Sequence, residues 1–416
     1  MYVEKLTMKD FRCFEQAEVS FVYPGKEGLP KDVLDNVTLL MGINGTGKTS
    51  VLKAIPLGVL SPIHAQLGYR PYCLVRRRQD EKPLNECDLS IQIRYPNQEL
   101  HFQTDTKTGR ELHTLFIRRE GSEDVIDQSL HALHWETTRQ QLNDQTDPAF
   151  FMIGYGATRR SDEMIMSYLQ QASQRHPRYQ RVAGLFVDSV TMYPLQAWYQ
   201  SVESNSRQKQ VRDLLNSLLP EGTTFTGQFK DADALFLHNG VKLPFGALSD
   251  GFRSYIGLVA DMLYHMNYVC SKKSKLTSLS GVVMIDDIDV HLHPKWQREV
   301  VPKLAKTFPK LQFIITSHSP LVAGTLHAAN IRVVEDNQIH EYTERIHGLN
   351  ADQILTSSYF GLDSSRSPDA EMQLAHTAKR VADTHDPAPA IEFLKELTGG
   401  ANGQTTEKTK KSGKRK

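Results

Sequence analysis

Val37-Thr38-Leu39-Leu40-Met41 runs directly into Gly42-Ile43-Asn44-Gly45-Thr46-Gly47-Lys48-Thr49-Ser50, and the reading of this stretch decides the fold. Residues 37–41 make the continuous apolar run of a strand buried on both faces. Glycines at 42, 45 and 47 then free the backbone to curl, so that successive N–H groups turn toward one anion. A helical pattern from Thr49 to about Val59 follows, and the N-terminal end of a helix attracts negative charge. Strand, glycine-rich turn and helix together predict a phosphate site. Asn44, Gly45, Thr46 and Gly47 would wrap the phosphates, Lys48 would reach the β- and γ-phosphates, and Thr49, with Ser50 beside it, would bind Mg²⁺.

Outward from this stretch, apolar Val3, Leu6, Met8, Phe11, Phe14, Val19 and Phe21 predict two antiparallel strands joined near Cys13–Gln16. Downstream, polar sequence from 68 to 150 carries strand-like pieces at Leu89–Tyr95, Leu100–Gln103 and Leu115–Arg118, with a helix over 128–145. Phe150–Ile153 reads as a buried strand leading into Gly154-Tyr155-Gly156, and helix formers dominate 160–219. Residues 233–245 predict a hairpin turning at Asn239-Gly240. A helix from about Phe252 to Cys270 carries Ile256, Val259, Leu263 and Met266 on one stripe. Buried strands at Val282–Ile285 and Phe313–Ile315 flank a helix near 295–307, and Ile331–Val334 has a hairpin partner beyond Asn337. Such alternation predicts an α/β sheet with helices on its faces.

Composition narrows the class. A chain of 416 residues exceeds one core, and two to three domains are expected. The net charge of +1 argues against a protein that coats nucleic acid by bulk charge. One asymmetry hides in it: Lys408, Lys410, Lys411, Lys414, Arg415 and Lys416 form a basic tail, without which the rest is mildly acidic. The tail is expected to be disordered and leaves a DNA contact open. Cys13, Cys73, Cys87 and Cys270 are scattered and form no CxxC pair, which argues against a disulfide framework and a cysteine zinc site. No signal peptide is legible, and no run reaches the ~18 apolar residues of a spanning helix. A reduced, cytoplasmic protein without membrane partners is expected.

Three later segments bear on how a nucleotide is used. In Leu248-Ser249-Asp250-Gly251-Phe252-Arg253-Ser254, Ser249 opens a helix. It reads either as an ordinary cap or, with the amides of Asp250 and Gly251, as a second anion site. The strand Val282–Ile285 ends in Asp286-Asp287, the first carboxylate suited to Mg²⁺ and the second to an attacking water. Phe313–Ser317 puts His318 at the C-terminal end of another buried strand, the edge where open α/β sheets bind ligands. His291 and His293 beside Asp289 suggest a metal site, though a turn at an interface explains them better. The run Arg76-Arg77-Arg78 suits nucleic acid or a solvated loop, given Asp80 and Glu81 next to it.

In order and spacing, the loop at 42–49, the serine segment at 248–254, the acidic strand at 282–287 and His318 resemble the ATP-binding-cassette ATPase pattern. The resemblance implies an α/β fold: an ABC-ATPase head, made of a P-loop NTPase sheet and an antiparallel β subdomain, with a helical insert or lid. It implies ATP and Mg²⁺ as cofactors and a dimer, or higher even-numbered homo-oligomer, sandwiching nucleotides. Ser249 and Gly251 of one copy would then act on the nucleotide of another. Asp286 and Thr49 would hold the metal, and Asp287 and His318 would support hydrolysis.

Finer residues resemble one branch. Asp10-Phe11-Arg12-Cys13-Phe14 is similar to the strand turn of SMC-like and RecF-like ATPases, which implies that Arg12 lies beside the nucleotide. Asp286-Asp287-Ile288-Asp289-Val290-His291-Leu292-His293-Pro294-Lys295-Trp296-Gln297 and Gly154-Tyr155-Gly156-Ala157-Thr158-Arg159-Arg160 resemble segments of OLD-type bacterial ATPases. Relatives of that type recur in antiphage defence, in Septu, PARIS and retron-associated systems, beside a separately encoded nuclease or effector. A RecF-like DNA-repair ATPase is the first alternative, and a transporter subunit the second. Asp287 stands where the pattern has glutamate, which predicts slow hydrolysis. Tyr155–Arg159 stands where a glutamine is usual, and for Arg159 a phosphate contact and a helix-anchoring salt bridge remain open. The boundaries expected are 1–68 and 233–345 for the head, 69–232 for the β/helical insert and lid, 346–398 for a helical appendage and 399–416 for the tail. No acidic nuclease motif follows His318.

Overall fold

Six strands form the central sheet: β3 (Val37–Met41), β7 (Met152–Tyr155), β11 (Gly281–Ile285), β12 (Leu311–Thr316), β13 (Ile331–Glu335) and β14 (Gln338–His340). Their order is β14-β13-β3-β12-β11-β7, parallel throughout except for the β13–β14 hairpin. The computed structural model describes residues 1–69, 71–77, 84–96, 109–121, 123–127, 136–160 and 175–391. Every residue of β3, β11 and β12 is buried, as strands covered on both faces must be.

The alternation along those strands feeds two cores. Leu39, Ile153, Val283, Ile285, Phe313 and Ile315 face one side, where Ile256, Val259, Leu263 and Met266 of the helix Asp250–Val269 pack on them. Leu40, Met152, Met284 and Ile314 face the other, against Val51, Leu52 and Ile55 of the helix Lys48–Val59. That second core continues into an antiparallel sheet of β1 (Tyr2–Phe11), β2 (Phe14–Ser20), β4 (Glu86–Arg94), β5 (Arg110–Glu120) and β6 (Glu123–Asp127), ordered β2-β1-β4-β5-β6. The first helix is therefore sandwiched between two sheets.

The β1–β2 turn is tighter than the sequence predicts: Phe11 pairs with Phe14, so only Arg12 and Cys13 lie at the bend, and Arg12 has φ +53°. The expected hairpin at Asn239-Gly240 is present, with φ +49° and +82° at its two turn residues, and belongs to a three-stranded sheet. That sheet consists of β8 (Thr223–Lys230), β9 (Asp233–His238) and β10 (Val241–Pro244). The helix-rich stretch predicted for 160–219 differs most. Its described part has single turns at Pro177–Gln180 and Leu195–Trp198 before one sustained helix, Asn205–Leu218. Pro177, Gly184 and Pro194 interrupt continuous helix there.

Among the described residues, buried Arg178 organises this region through carbonyls and not through a carboxylate ion pair. Its guanidinium donates to the carbonyls of Gln141, Leu142, Asp144, Asp147 and Phe150, at 2.5–3.2 Å. It thereby ties the end of the helix Glu136–Asn143 to the approach to β7.

By contacts the chain divides into two units, Met1–Gly361 and Leu362–Lys416. The second contributes the helix Pro368–Thr384, capped by Ser367 and without a buried residue. The expected strand at Leu100–Gln103, the start of the helix predicted from 128, Arg78 with Asp80 and Glu81, and the basic tail lie outside the described residues. Among the described residues, no helix is long and apolar enough to cross a membrane.

Candidate nucleotide site

The loop Gly42–Gly47 leaves the C-terminal end of β3 and enters the helix Lys48–Val59. Gly42, Gly45 and Gly47 all have positive φ, at +144°, +84° and +112°, which an L side chain adopts only with strain. Space excludes a larger residue at two of them. A Cβ on Gly42 would lie 2.2 Å from the Val334 carbonyl oxygen, and one on Gly47 would lie 2.6 Å from Cys13 Sγ and Phe14 Cζ.

The second contact shows that the β1–β2 turn leans on the loop, and Cys13 Sγ lies 3.4 Å from the Thr46 carbonyl oxygen. Arg12 is thereby set at the loop's flank, its N–H donating to Leu74 O at 2.7 Å. Lys48 Nζ donates to the carbonyls of Gly42 and Ile43 at 2.8 and 2.9 Å, which centres its ammonium within the loop. Burial pushes that ammonium's pKa down, opposed by Asp287, Asp286 and Asp289.

The acidic segment begins where β11 ends. Thr49 Oγ1 donates to Asp286 Oδ2 at 2.8 Å, and Thr316 Oγ1 donates to Asp286 Oδ1 at 2.7 Å. Burial raises the Asp286 carboxyl's pKa, and the two hydroxyls oppose the rise. The Asp287 N–H donates to Thr316 Oγ1 at 2.7 Å, fixing a backbone with φ +47°. His318 Nε2 lies 3.8 Å from Asp287 Oδ1. Asp289 accepts from Ser317 Oγ at 2.5 Å and from the His318 N–H at 3.3 Å. Lys48, Thr49, Asp286, Asp287 and His318 are thus gathered at one sheet edge.

The adjoining hydroxyl and carboxylate of Thr49 and Asp286 are the hard oxygen donors that Mg²⁺ takes, and the residues present fit that ion. Among the described residues, no three His, Cys, Asp or Glu side chains converge as a metal cluster. Asp289 is engaged by Ser317, and His293 Nδ1 accepts the Lys295 N–H at 3.2 Å as a helix cap.

Arg159 holds the backbone of the acidic segment. Its guanidinium donates to the carbonyls of Asp286 at 2.8 Å, Asp287 at 2.9 Å and Val290 at 3.4 Å, clamping the main chain of the acidic segment. Burial lowers its pKa to about 10.

Ser249 occupies the cap position of the helix Asp250–Val269, yet its hydroxyl makes no capping bond. Asp250 is paired instead with Arg253 of the same turn. The serine lines an open groove of about 450 Å³ with Glu221, His238, Gly251, His291, His293 and Trp296. No residue of the phosphate loop lines that groove, so Ser249 and Lys48 do not share it. Sequence reasoning gave Thr316 and Asp261 no role and read Tyr155 only as part of the segment that stands where a glutamine is usual. Thr316 had a signal, a polar residue at the end of an otherwise apolar strand.

Residues 174–324 match the family model described as "AAA domain, putative AbiEii toxin, Type IV TA system", and residues 5–66 match an AAA domain model. The chain is 25% identical over 372 residues to the Septu protein PtuA of Bacillus mycoides, covering 87% of this chain and 45% of that protein. It is 32% identical over 161 residues to the Retron Ec83 probable ATPase of Escherichia coli, covering 39% of this chain and 30% of that one. The chain therefore spans less than half the length of these relatives. Among solved structures, the SMC head domain from Thermotoga maritima aligns with a TM-score of 0.44 at 13% identity, over 82% of this chain and 99% of that one. Two stretches of the chain thus resemble AAA domains, and its homologues include the Septu PtuA proteins and retron probable ATPases.

Proposed function

We propose that the chain is the ATP-binding head of a nucleotide-gated homodimer, or higher even-numbered oligomer, in the bacterial cytoplasm. In this reading it controls a separately encoded nuclease or other effector in antiphage defence. The observation that carries the nucleotide reading is the bridge from Thr49 to Asp286 beside the Lys48 ammonium. The defence reading is supported by the similarity to PtuA and the retron ATPases.

In this reading the loop amides and Lys48 hold the β- and γ-phosphates. Mg²⁺, when bound, neutralises part of the phosphate charge, and Thr49 and Asp286 are its protein oxygen donors. Asp287, steadied by Thr316, orients the attacking water, and His318 supports the γ-phosphate. Arg12 and Ser50 flank the nucleotide. A second copy supplies the Ser249 hydroxyl, unspent on its own helix, with the amides of Asp250 and Gly251. Because Asp287 is one methylene shorter than glutamate, the water is held loosely and turnover is slow.

Titration with a fluorescent ATP analogue tests the nucleotide reading. Lys48→Ala should weaken binding by about 10- to 100-fold, the loss expected of a charge-assisted contact. Equal affinity in the variant would overturn it.

A further inference from the structure

The helix that starts beside Ser249 is fixed to the acidic segment at two separate places, and the deeper of them has no part in the chemistry above. Asp261, in mid-helix, is 4% exposed, and both of its carboxylate oxygens are used. Oδ2 accepts the Tyr155 hydroxyl at 2.7 Å, and Oδ1 accepts the Tyr193 N–H at 2.6 Å. Tyr155 is the last residue of β7, and its own carbonyl accepts the Asp286 N–H at 2.8 Å. Further along the chain, Arg159 clamps the carbonyls of Asp286, Asp287 and Val290. A line of hydrogen bonds therefore runs from mid-helix Asp261, through Tyr155, to the Asp286 backbone, and Arg159, four residues beyond Tyr155, holds Asp286 and Asp287 together.

The second fixing point lies near the helix N-terminus. A Cβ on Gly251 would lie only 2.5 Å from the carbonyl oxygen of His291, so the first turn is pressed on the far end of the same acidic segment. Gly251 and Asp261 are separated by about 15 Å of helix at 1.5 Å per residue. A rigid rod held at two such points takes its orientation from the segment that holds it.

The junction is also polar where an apolar contact would pack. Tyr155, Arg159, Arg181, Asp261 and His265 line a small, partly open pocket of about 30 Å³, room for a water-sized shift. His265 Nε2 is 3.6 Å from Asp261 Oδ2, but burial keeps its imidazole neutral, so the two do not form an ion pair. A carboxylate withdrawn from water is a costly way to hold a helix, but its two oxygens accept from two donors at once, which the single oxygen of Asn does not.

We propose that Asp261 is a positioning residue: with Tyr155 it sets the orientation of the helix Asp250–Val269 from the acidic segment, so that Ser249 meets a partner's nucleotide only while that junction is closed. The inference rests on the nucleotide-gated dimer proposed above. Its test compares Tyr155→Phe, Asp261→Asn and the double variant with the full-length wild-type chain. The readouts are affinity for a fluorescent ATP analogue, ATP-dependent dimerisation by light scattering, steady-state turnover and thermal melting.

Both single variants should keep nucleotide affinity within about two-fold, since the phosphate loop is untouched, yet lose about ten-fold or more in turnover along with the ATP-dependent dimer. The double variant should lose little more than either single one, as coupled residues do. Unchanged turnover with a lowered melting temperature would mean a merely structural role and would overturn the proposal, as would additive losses. Tyr155→Phe deletes one hydroxyl and decides the matter alone if Asp261→Asn does not fold. Failure of the wild-type chain to bind ATP would instead bring down the nucleotide reading itself, and this inference with it.

Discussion

At the scale of single residues, two carboxylates in different surroundings lead to different experiments. Asp287 stands on a strained backbone, tied by its N–H to Thr316, and in the proposed function it is the acid that orients water, one methylene shorter than glutamate. Asp287→Glu should raise steady-state ATP turnover, by up to the ~100-fold that a misplacement of about 1 Å costs. A rate at or below that of the wild type would refute the slow-hydrolysis reading.

Asp261 is governed by burial, which lifts its pKa from 3.8 to about 6 against the opposing bonds from Tyr193 and Tyr155. The other titratable groups around it are His265, held neutral by burial and Arg181, and Tyr264. With the folded value above the unfolded one, its stabilising contribution is complete below the unfolded value and disappears as pH rises through about 6. Asp261→Asn should therefore remove a decline of up to about 3 kcal/mol between acid and neutral pH, read by urea unfolding across that range.

At the scale of elements, what was legible depended on whether local sequence or remote contact set the structure. The strands Val37–Met41, Gly281–Ile285 and Leu311–Thr316 were plain because double-sided burial leaves a continuous apolar run, and the helix Asp250–Val269 because its stripe keeps a 3.6-residue period. Loop, acidic pair and histidine could be read because each ends a buried strand. Arg159 and Asp261 could not be assigned, since their partners are main-chain carbonyls and a tyrosine distant in sequence, and nothing local marks such bonds. The stretch before Asn205 misled for the same reason: helix formers are plentiful there, but Arg178 supplies its order from outside any helix period. Arg178→Met leaves five carbonyls without their common donor. It should destabilise the chain by roughly 3 kcal/mol or more, measured by chemical denaturation at unchanged nucleotide affinity.

At the scale of the whole molecule, the separation of Ser249 from Lys48 makes each copy incomplete in the proposed dimer. Lys48→Ala and Ser249→Ala should each be inactive alone. Mixed one to one, they should recover up to about a quarter of wild-type turnover, because half of randomly formed two-fold dimers contain one intact composite site. Continued inactivity of the mixture, with subunit exchange verified, would exclude action across the interface.

The close approach of Gly251 to the His291 carbonyl has a further consequence. Asp287, which in the proposed dimer would serve a copy's own nucleotide, and His291, which lies against the helix end that would be offered to the neighbour, belong to one short peptide stretch. In a two-fold dimer each site would then inform the other through that stretch, and the pair would close into a loop of mutual dependence. Such an arrangement favours both sites filled or both empty over one alone, and turnover should rise with ATP concentration with a Hill coefficient above one.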